Sequence, residues 1–188
     1  MKTKVISAVQ MAHAFLTAKL SEARYILDAT AGNGHDTLFL AKHTPPDATI
    51  WFFDIQEQSL LNTISALNEA GLAYKCRPIH DCHTKIRNYV NNPLDAVMFN
   101  LGYLPGGSHE VTTKTDTTLT AIQETLRLLA HGGLLSVVAY PGHPEGRLEN
   151  EAVRGYLSQL LQKEFTVGSW EMVNQQNTPP ILYIVEKR

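Results

Sequence analysis

The sequence has few of the features that mark secreted or membrane-bound proteins. It contains 2 cysteines among 188 residues, Cys76 and Cys82, which are too few for a disulfide framework. No apolar run approaches the roughly 18 uninterrupted residues that a membrane-spanning helix needs. Residues 1–5 carry charge, but no apolar segment with a small-residue cleavage site follows them. We therefore expect a cytoplasmic protein with reduced thiols, no signal peptide and no membrane partner.

The sequence also lacks a strong net charge of either sign. Its 16 basic and 18 acidic residues give a formal net charge of −2. This balance argues against a broad nucleic-acid surface but allows a local basic patch. The apolar fraction of 44% is ordinary for a globular protein, so disorder is not expected. The length suits one domain, to which we assign residues 1–188.

Strands and helices alternate along most of the chain. Apolar spacing predicts strands at 25–28, 49–54, 74–79, 94–100, 134–140, 165–173 and 181–186, and helices at 5–19, 36–42, 56–70, 116–129 and 149–163. This pattern predicts an α/β fold with a doubly wound, mostly parallel seven-stranded sheet. The last two strands are joined without a helix, so they must pair antiparallel. A Rossmann-like sheet with this C-terminal antiparallel hairpin is typical of methyltransferases that use S-adenosyl-L-methionine (SAM), and not of dinucleotide dehydrogenases.

A glycine turn follows the first strand. The run Asp-Ala-Thr-Ala-Gly-Asn-Gly, from Asp28 to Gly34, has the spacing of the nucleotide-binding loop of SAM methyltransferases. Its glycines allow close approach of a ligand to the backbone, and the next helix offers free N–H groups. A nicotinamide cofactor is the alternative, although Gly32, Gly34 and Thr37 lack the third glycine of the dinucleotide fingerprint. Asp28 favours SAM, because in methyltransferases an acidic residue there lies near the cationic methionine end of the cofactor.

Two further loops extend this predicted site. Asp54 ends the second strand, about 20 residues beyond Gly34, where Rossmann-type folds bind the ribose hydroxyls. The third strand is followed by His80-Asp81-Cys82-His83, which suggests a metal site but has no second pair of ligands elsewhere. We therefore predict no metal and place Asp81 or its neighbour near the adenine ring. Loops at the carboxyl ends of parallel strands share one edge, so they should form one site.

The leading helix, within residues 1–22, is expected to pack on this site. His13 lies in it near the polar boundary. We interpret His13 chiefly as a surface or capping residue, with contact to a ligand as the alternative.

The fourth strand ends in Asn100-Leu101-Gly102-Tyr103, which resembles the Asn-Pro-Pro-Tyr motif of amino-methyltransferases. In that motif the asparagine oxygen and the next carbonyl accept hydrogen bonds from the target N–H groups, which aims the nitrogen lone pair at the SAM methyl group. The aromatic ring can stack on a base. Leu101 and Gly102 replace both prolines, so this loop is less rigid, and a simple turn-capping role for Asn100 is the alternative. The departing proton needs an acceptor, for which Asp36, His143 and Glu145 are candidates.

Four blocks together resemble a known family: residues 28–37, 53–56, 100–107 and 140–146. Over nearly its whole length the chain is similar to the YtqB-type family of putative rRNA methylases, whose characterised members are the MnmM tRNA methyltransferases. The resemblance implies SAM-dependent N-methylation of 5-aminomethyl-2-thiouridine at the first anticodon position of tRNA. Residues 108–110, Ser-His-Glu, depart from the Asp-Lys pair expected in relatives, so contacts to the substrate there can differ.

These arguments assign a site for SAM and RNA. The predicted cofactor-binding residues are Asp28, Thr30, Gly32, Asn33, Gly34, Asp36, Thr37, Asp54, Gln56, Asp81 and Asn100. The predicted catalytic residues are Asn100, Tyr103 and His143, and the predicted substrate-binding residues are Leu101, Gly102, Tyr103, Pro105, Gly106, Gly107, Gly142, His143 and Glu145. The expected partner is the tRNA anticodon region, met by basic residues sought among Lys2, Lys4, Arg24, Lys114, Arg147 and Arg154. Methylation of rRNA or a small metabolite, and a non-catalytic SAM-binding module, are the alternatives, and the sequence leaves a homodimer open.

Overall fold

A central sheet organises the molecule in the computed structural model, which describes residues 6–102 and 113–188. Within those ranges the strands are β1 (Tyr25–Asp28), β2 (Thr49–Asp54), β3 (Cys76–His80), β4 (Leu94–Asn100), β5 (Leu129–Ala139), β6 (Phe165–Trp170) and β7 (Ile181–Lys187). They pair in the order β3-β2-β1-β4-β5-β7-β6. The first five are parallel neighbours, whereas β7 runs antiparallel to both β5 and β6. The predicted α/β fold with a C-terminal antiparallel hairpin is confirmed.

Helices cover both faces of the sheet. They are α1 (Ala8–Leu20), α2 (His35–His43), α3 (Glu57–Glu69), α4 (Ile86–Tyr89), α5 (Thr115–Leu128) and α6 (Pro144–Leu157), with 3₁₀ turns at Ala73–Lys75 and His83–Lys85. Neighbouring strand residues point to opposite faces, so Phe52 and Phe53 enter different core clusters, and both are fully buried. Within the described residues, no helix has the length and apolar character to span a bilayer.

Helix α1 packs against α2 and the strands β4, β5 and β7. Ala8, Ala12, Leu16 and Leu20 recur every four residues and form its buried stripe. The predicted start at Val5 is wrong, because Ser7 caps the helix: its hydroxyl accepts the Gln10 N–H, and the Gln10 side chain accepts the Ser7 N–H.

Two further predicted boundaries are also wrong, one at the start of β5 and one at the start of α6. The sequence His131-Gly132-Gly133 does not end a helix, since α5 stops at Leu128 and β5 already runs through these residues. Gly132 takes a φ of +69°, which lets the strand bulge there, and the register with β4 shifts between Leu94 and Ala96. Helix α6 begins at Pro144 and ends at Leu157 rather than spanning 149–163.

The early start of α6 has a local cause. His143 is its N-cap, with Nδ1 accepting the Gly146 N–H at 3.1 Å, and Pro144 occupies the first turn, where its missing N–H costs nothing. Gly146 is required inside this turn, because a Cβ there would lie 2.1 Å from the Tyr140 carbonyl oxygen. The glycine and proline that suggest a loop in the sequence therefore belong to a helix start.

The smaller differences lie at the sheet edges. Strand β3 begins at Cys76 rather than at Tyr74, because a 3₁₀ turn at Ala73–Lys75 precedes it, and β6 ends at Trp170 rather than at Val173. The short α4 between β3 and β4 was not predicted, since four residues are too few to show helical periodicity.

Candidate active site at the carboxyl edge of the sheet

A cavity of about 1050 Å³ lies at the carboxyl edge of the sheet. Its walls come from the ends of β1, β2 and β4 and from Tyr140, which directly follows β5. The strand order reverses between β1 and β4, and open α/β sheets bind ligands at such a reversal. The volume lies at the upper end of the range for small-molecule pockets.

The glycine turn between β1 and α2 forms the floor of this cavity. Gly32 and Gly34 have φ values of +52° and +81°. A Cβ on Gly34 would lie 2.8 Å from Thr63 Oγ1 and 2.9 Å from Thr63 Cα, so α3 packs directly against the turn. Only glycine combines this backbone conformation with this contact.

Asp28 lies beneath the turn and is completely buried. One carboxylate oxygen accepts the Thr30 N–H at 3.1 Å and the other accepts the Thr37 hydroxyl at 2.6 Å. Burial, followed by the nearby charge of Asp36, raises the pKa of Asp28 from 3.8 to about 7, although both hydrogen bonds oppose the rise. The site thus contains a carboxyl group that an adjacent cation would help to ionise.

Asp54 joins the end of β2 to the glycine turn. Its Oδ2 atom accepts the Gly32 N–H at 2.9 Å and its Oδ1 atom accepts the Gln56 N–H at 2.8 Å. Each carboxylate oxygen can accept a further hydrogen bond, so the residue that shapes the turn can also meet ligand hydroxyls in the cavity.

The loop after β3 contributes two side chains of different kinds. Asp81 is engaged by Lys85 Nζ at 2.8 Å and by the Tyr89 hydroxyl at 2.9 Å, and these bonds lower its pKa. His83 is buried, with Nδ1 3.3 Å from the Ala29 carbonyl oxygen, and burial lowers its pKa. If Nδ1 donates to that carbonyl, Nε2 is an acceptor, and within the described chain this buried atom has no hydrogen-bond partner.

Asn100 stands where β4 ends, opposite the glycine turn. Its backbone N–H donates to Thr30 Oγ1 at 2.7 Å, and its side-chain Nδ2 donates to Asp36 Oδ2 at 2.9 Å. Because the carboxylate can only accept, this contact fixes which end of the amide is nitrogen. The Oδ1 atom is buried and has no hydrogen-bond partner among the described residues.

His13 reaches the same carboxylate from α1. Its Nε2 atom lies 2.8 Å from Asp36 Oδ1, and its ring stacks on Phe39 with centroids 3.7 Å apart and planes 4° from parallel. Its side chain is 25% exposed, against 7% for Asp36. The interpretation of His13 as chiefly a surface or capping residue is therefore wrong, because the ring bridges α1 to the carboxylate that holds Asn100.

A buried contact holds the two described ends of the Asn100 loop. Thr113 Oγ1 accepts the Gly102 N–H at 2.9 Å and donates to Glu149 Oε2 at 2.9 Å, while Thr118 donates to Glu149 Oε1 at 2.6 Å. Burial raises the pKa of Glu149. Glu149 of α6 therefore links the loop, through Thr113, to Thr118 of α5.

The structure gathers most of the predicted residues but not all of them. Those that line the cavity are Thr30, Gly32, Asn33, Asp36, Asp54, Gln56, Asp81, Asn100, Leu101, Gly102, Gly142 and His143. Asp28, Gly34 and Thr37 are buried and do not line it, and Glu145 is exposed beside His143. Tyr103, Pro105, Gly106 and Gly107 lie outside the described residues.

Sequence reasoning assigned no role in the site to His83, Tyr140 or Thr178, which line the cavity, whereas Lys114, named as a candidate RNA contact, lines it too. Tyr140 had a usable signal, since it directly follows a strand whose carboxyl end meets the site. Burial and Asp36 raise its pKa, and the adjacent Asn100 amide opposes that rise. Thr178 had no such signal, because it comes from the loop joining β6 and β7, where Asn177 and Thr178 take φ values of +67° and +47°.

Comparison with known proteins gives consistent matches. Residues 50–186 match the model of the family described as "Putative rRNA methylase". The Arabidopsis thaliana protein named tRNA (mnm(5)s(2)U34)-methyltransferase, chloroplastic, is 34% identical over 190 residues, which cover 96% of this chain and 69% of that protein. A putative rRNA methylase from Clostridium thermocellum has a TM-score of 0.96 at 36% identity, covering 99% of this chain and 100% of the other. A putative methyltransferase from Streptococcus mutans, solved in complex with SAH, has a TM-score of 0.89 at 37% identity, covering 98% and 100%.

The sheet order, the glycine turn above Asp28 and these matches define the class: the protein is a Rossmann-like, SAM-dependent methyltransferase. Within that class the chain belongs to the family of putative rRNA methylases.

Proposed function

We propose that this enzyme transfers the methyl group of SAM to the primary amine of 5-aminomethyl-2-thiouridine at the wobble position of tRNA. The observation that carries the proposal is the Asn100 amide, whose oxygen has no hydrogen-bond partner among the described residues while its nitrogen is held by Asp36. An orphaned buried acceptor is costly unless a ligand donor completes it. A substrate amine supplies that donor, and the tRNA enzyme from Arabidopsis, similar over 96% of this chain, favours tRNA as its source.

For this reaction the protein chiefly has to align the two reactants. SAM is already an activated electrophile, and well-oriented reactants recover on the order of 7–11 kcal/mol of the barrier. The Asn100 oxygen and the Leu101 carbonyl would accept the two amine N–H groups, which directs the lone pair toward the methyl carbon. A new N–CH₃ bond forms, the S–CH₃ bond breaks, and the resulting ammonium loses its proton to a base, for which Asp36, His143 and Glu145 remain our candidates.

We assign the cofactor to the glycine-turn side of the cavity. Asp54 would accept hydrogen bonds from the ribose hydroxyls. Asp81 would lie at the adenine, where the His83 Nε2 atom would offer a further acceptor. Asp28, Thr30, Asn33, Thr37 and Gln56 complete the proposed cofactor set, with Asp28 nearest the cationic methionine end. The cost of a buried carboxylate beside Asp36 supports this placement, because a cation would offset it.

The RNA would enter from the side of Lys114, which is exposed and lies on the cavity wall. Arg147 is exposed in the first turns of α6, near His143. Arg24 is a poor candidate, because it precedes β1 at the opposite edge of the sheet and pairs with Asp47 at 3.9 Å. Tyr103 would stack on the modified base, with Pro105–Gly107, Gly142 and Glu145 around it.

The direct test is methyl transfer in vitro. The purified protein is incubated with SAM and tRNA that lacks the final methyl group, and digested nucleosides are measured by mass spectrometry. We expect one methyl mass on the wobble uridine and none on rRNA fragments or free nucleosides incubated in parallel. Methylation of rRNA alone, or of free nucleoside alone, would replace the proposal by the corresponding alternative. Binding of SAM without any transfer would favour the non-catalytic module.

The role of Asn100 is tested by Asn100→Ala. We expect turnover to be lost while the SAM dissociation constant stays within a few-fold, because the backbone N–H that contacts Thr30 is retained. Asn68→Ala, on the exposed end of α3, is the matched control and should leave both quantities unchanged. Loss of SAM binding in Asn100→Ala would instead place Asn100 in the cofactor site.

We also propose that residues 1–188 act as a single methyltransferase domain in the cytoplasm, a location supported by the two free cysteines. A homodimer stays a prediction. Light scattering of the purified chain measures its mass against the 20.9 kDa of one copy.

A further inference from the structure

We propose that His13 is a positioning residue for methyl transfer: through Asp36 it fixes the orientation of the Asn100 amide whose oxygen receives the substrate amine. The inference rests on the proposed function of Asn100 and extends it to a residue of α1. Three segments far apart in sequence meet at one carboxylate, because Asp36 Oδ1 lies 2.8 Å from His13 Nε2 and Asp36 Oδ2 lies 2.9 Å from Asn100 Nδ2.

The first step of the argument is the chemistry of the amide. An asparagine side chain can rotate by 180° and exchange its donor and acceptor ends. With nitrogen toward the cavity it would repel the N–H groups of an amine and present its oxygen to Asp36. A carboxylate cannot donate to that oxygen, so the contact with Asp36 selects the orientation in which Nδ2 faces Asp36 and Oδ1 has no hydrogen-bond partner among the described residues.

The second step is that the carboxylate itself has to be held. A carboxylate bound only by Asn100 could turn about its own side-chain bonds and would not define the direction of the amide. The His13 Nε2–H group, donating to the other oxygen, provides a second fixed point. The side chain of Asp36 is only 7% exposed, so water does little to compete for either oxygen.

The third step is that His13 is itself immobilised by packing. Its ring lies flat on Phe39 of α2, and Phe39 in turn contacts His43 at a centroid distance of 4.5 Å. Two hydrogen bonds thus connect α1 to Asn100 through Asp36, and the stacking on Phe39 keeps the His13 ring in place. This gives the leading helix a role in the reaction beyond covering the sheet.

Two substitutions of the same residue separate hydrogen bonding from packing. His13→Phe keeps a ring that can stack on Phe39 but removes the donor. His13→Gln loses the ring but keeps an N–H donor that reaches the position of Nε2. We expect the single-turnover rate at saturating SAM and tRNA to fall about 10- to 100-fold in His13→Phe and to stay within about three-fold of wild type in His13→Gln. The dissociation constants of SAM and tRNA should change less than about three-fold in both.

His43→Ala is the matched control. It removes the other ring that contacts Phe39 but touches neither Asp36 nor Asn100, since its Nδ1 atom bonds the Phe39 carbonyl oxygen at 2.8 Å. Its rate should equal that of wild type. The inference is overturned if His13→Phe is as fast as wild type, if His13→Gln is as slow as His13→Phe, or if the loss lies wholly in SAM affinity.

A spectroscopic readout keeps this inference separate from the identity of the substrate. In ¹⁵N-labelled protein, the Asn100 side-chain NH₂ resonance, assigned by its absence in Asn100→Ala, reports the hydrogen bond to Asp36. One of its protons should be shifted downfield and exchange slowly in wild type and His13→Gln, and lose both properties in His13→Phe. If the tRNA assay fails while this pattern holds, the proposed substrate is wrong and the positioning role stands. If the chemical shift and exchange rate of this resonance are the same in His13→Phe and His13→Gln, the positioning role is refuted, whatever the substrate is.

Discussion

The buried carboxyl group of Asp28 leads to a prediction about stability and pH. Asp28→Asn is nearly isosteric. The amide oxygen can still accept the Thr30 N–H, and the amide nitrogen can donate to the Thr37 hydroxyl, which reverses the direction of that hydrogen bond. What the substitution removes is the ability to ionise. We therefore expect it to stabilise the protein without SAM at neutral and alkaline pH, where ionisation costs the wild type most.

The size of the effect follows from the raised pKa. A pKa that rises from 3.8 to about 7 corresponds to on the order of 4 kcal/mol between the folded and unfolded chains, at about 1.4 kcal/mol per pH unit. Because the folded pKa is the higher one, this stabilisation is complete below pH 3.8 and is lost as the pH rises through about 7. The loss is on the order of 1.5 kcal/mol at pH 5 and the full amount at pH 8.

The assay is urea unfolding followed by circular dichroism, at pH 5 and pH 8 without SAM. The advantage of Asp28→Asn over wild type should grow by roughly 2–3 kcal/mol between the two pH values. Asp47→Asn, at an exposed position, is the control, and its difference from wild type should stay constant within about 0.5 kcal/mol. The reasoning would be refuted if the stability advantage of Asp28→Asn over the wild type were equal at both pH values, or if the wild type were more stable than the variant at pH 8. Saturating SAM should reverse the ranking at pH 8, because the variant loses the carboxylate that we assign to the cation.

Two further predictions test how the site is built. Gly34→Ala and Gly71→Ala both place a Cβ at positive φ, which costs roughly 1–2 kcal/mol of strain each. Only the Cβ at position 34 would meet Thr63, since nothing lies within 4 Å of a Cβ at position 71. Denaturant unfolding should therefore show a clearly larger loss of unfolding free energy for Gly34→Ala, and equal losses would contradict the contact. Glu149→Ala leaves the Thr113 and Thr118 hydroxyls without their acceptor, so we expect a loss of about 1–3 kcal/mol together with slower single-turnover methyl transfer at unchanged SAM affinity. A SAM dissociation constant that rises in parallel would show instead that the contact supports the cofactor half of the site.

The strands near the site could be predicted from the sequence because each is short, apolar and ended by a polar residue. Strands β1, β2 and β4 begin and end where predicted, with Asp28, Asp54 and Asn100 as their last residues. Parallel strands place such residues at one edge, which is why three loops far apart in the chain could be assigned to one site. The antiparallel pairing of β6 and β7 could be predicted because no helix lies between them.

The helix starts could not be predicted in the same way, because caps and turns share their residue types. Pro144 and Gly146 favour a loop in the sequence, yet one lies in a first turn and the other is forced by contact with the Tyr140 carbonyl. The contact between His13 and Asp36 was missed for a different reason. It depends on how α1 packs against α2, and the partners stand 23 positions apart in the sequence with no periodic signal of that packing between them.

The hydrogen bonds of Asn100 imply that the cofactor and acceptor halves of this site do not act independently. The Asn100 backbone is held by Thr30 of the glycine turn, and its side chain is held by Asp36 at the start of α2. Any shift of the turn therefore moves the Asn100 oxygen, which we propose receives the amine, and a well-oriented reaction is sensitive to shifts of about 1 Å. Substitutions in the turn should accordingly lower the rate at saturating SAM as well as the affinity. Pairs such as Thr30→Ala with His13→Phe should be non-additive, since both act on the position of a single side chain.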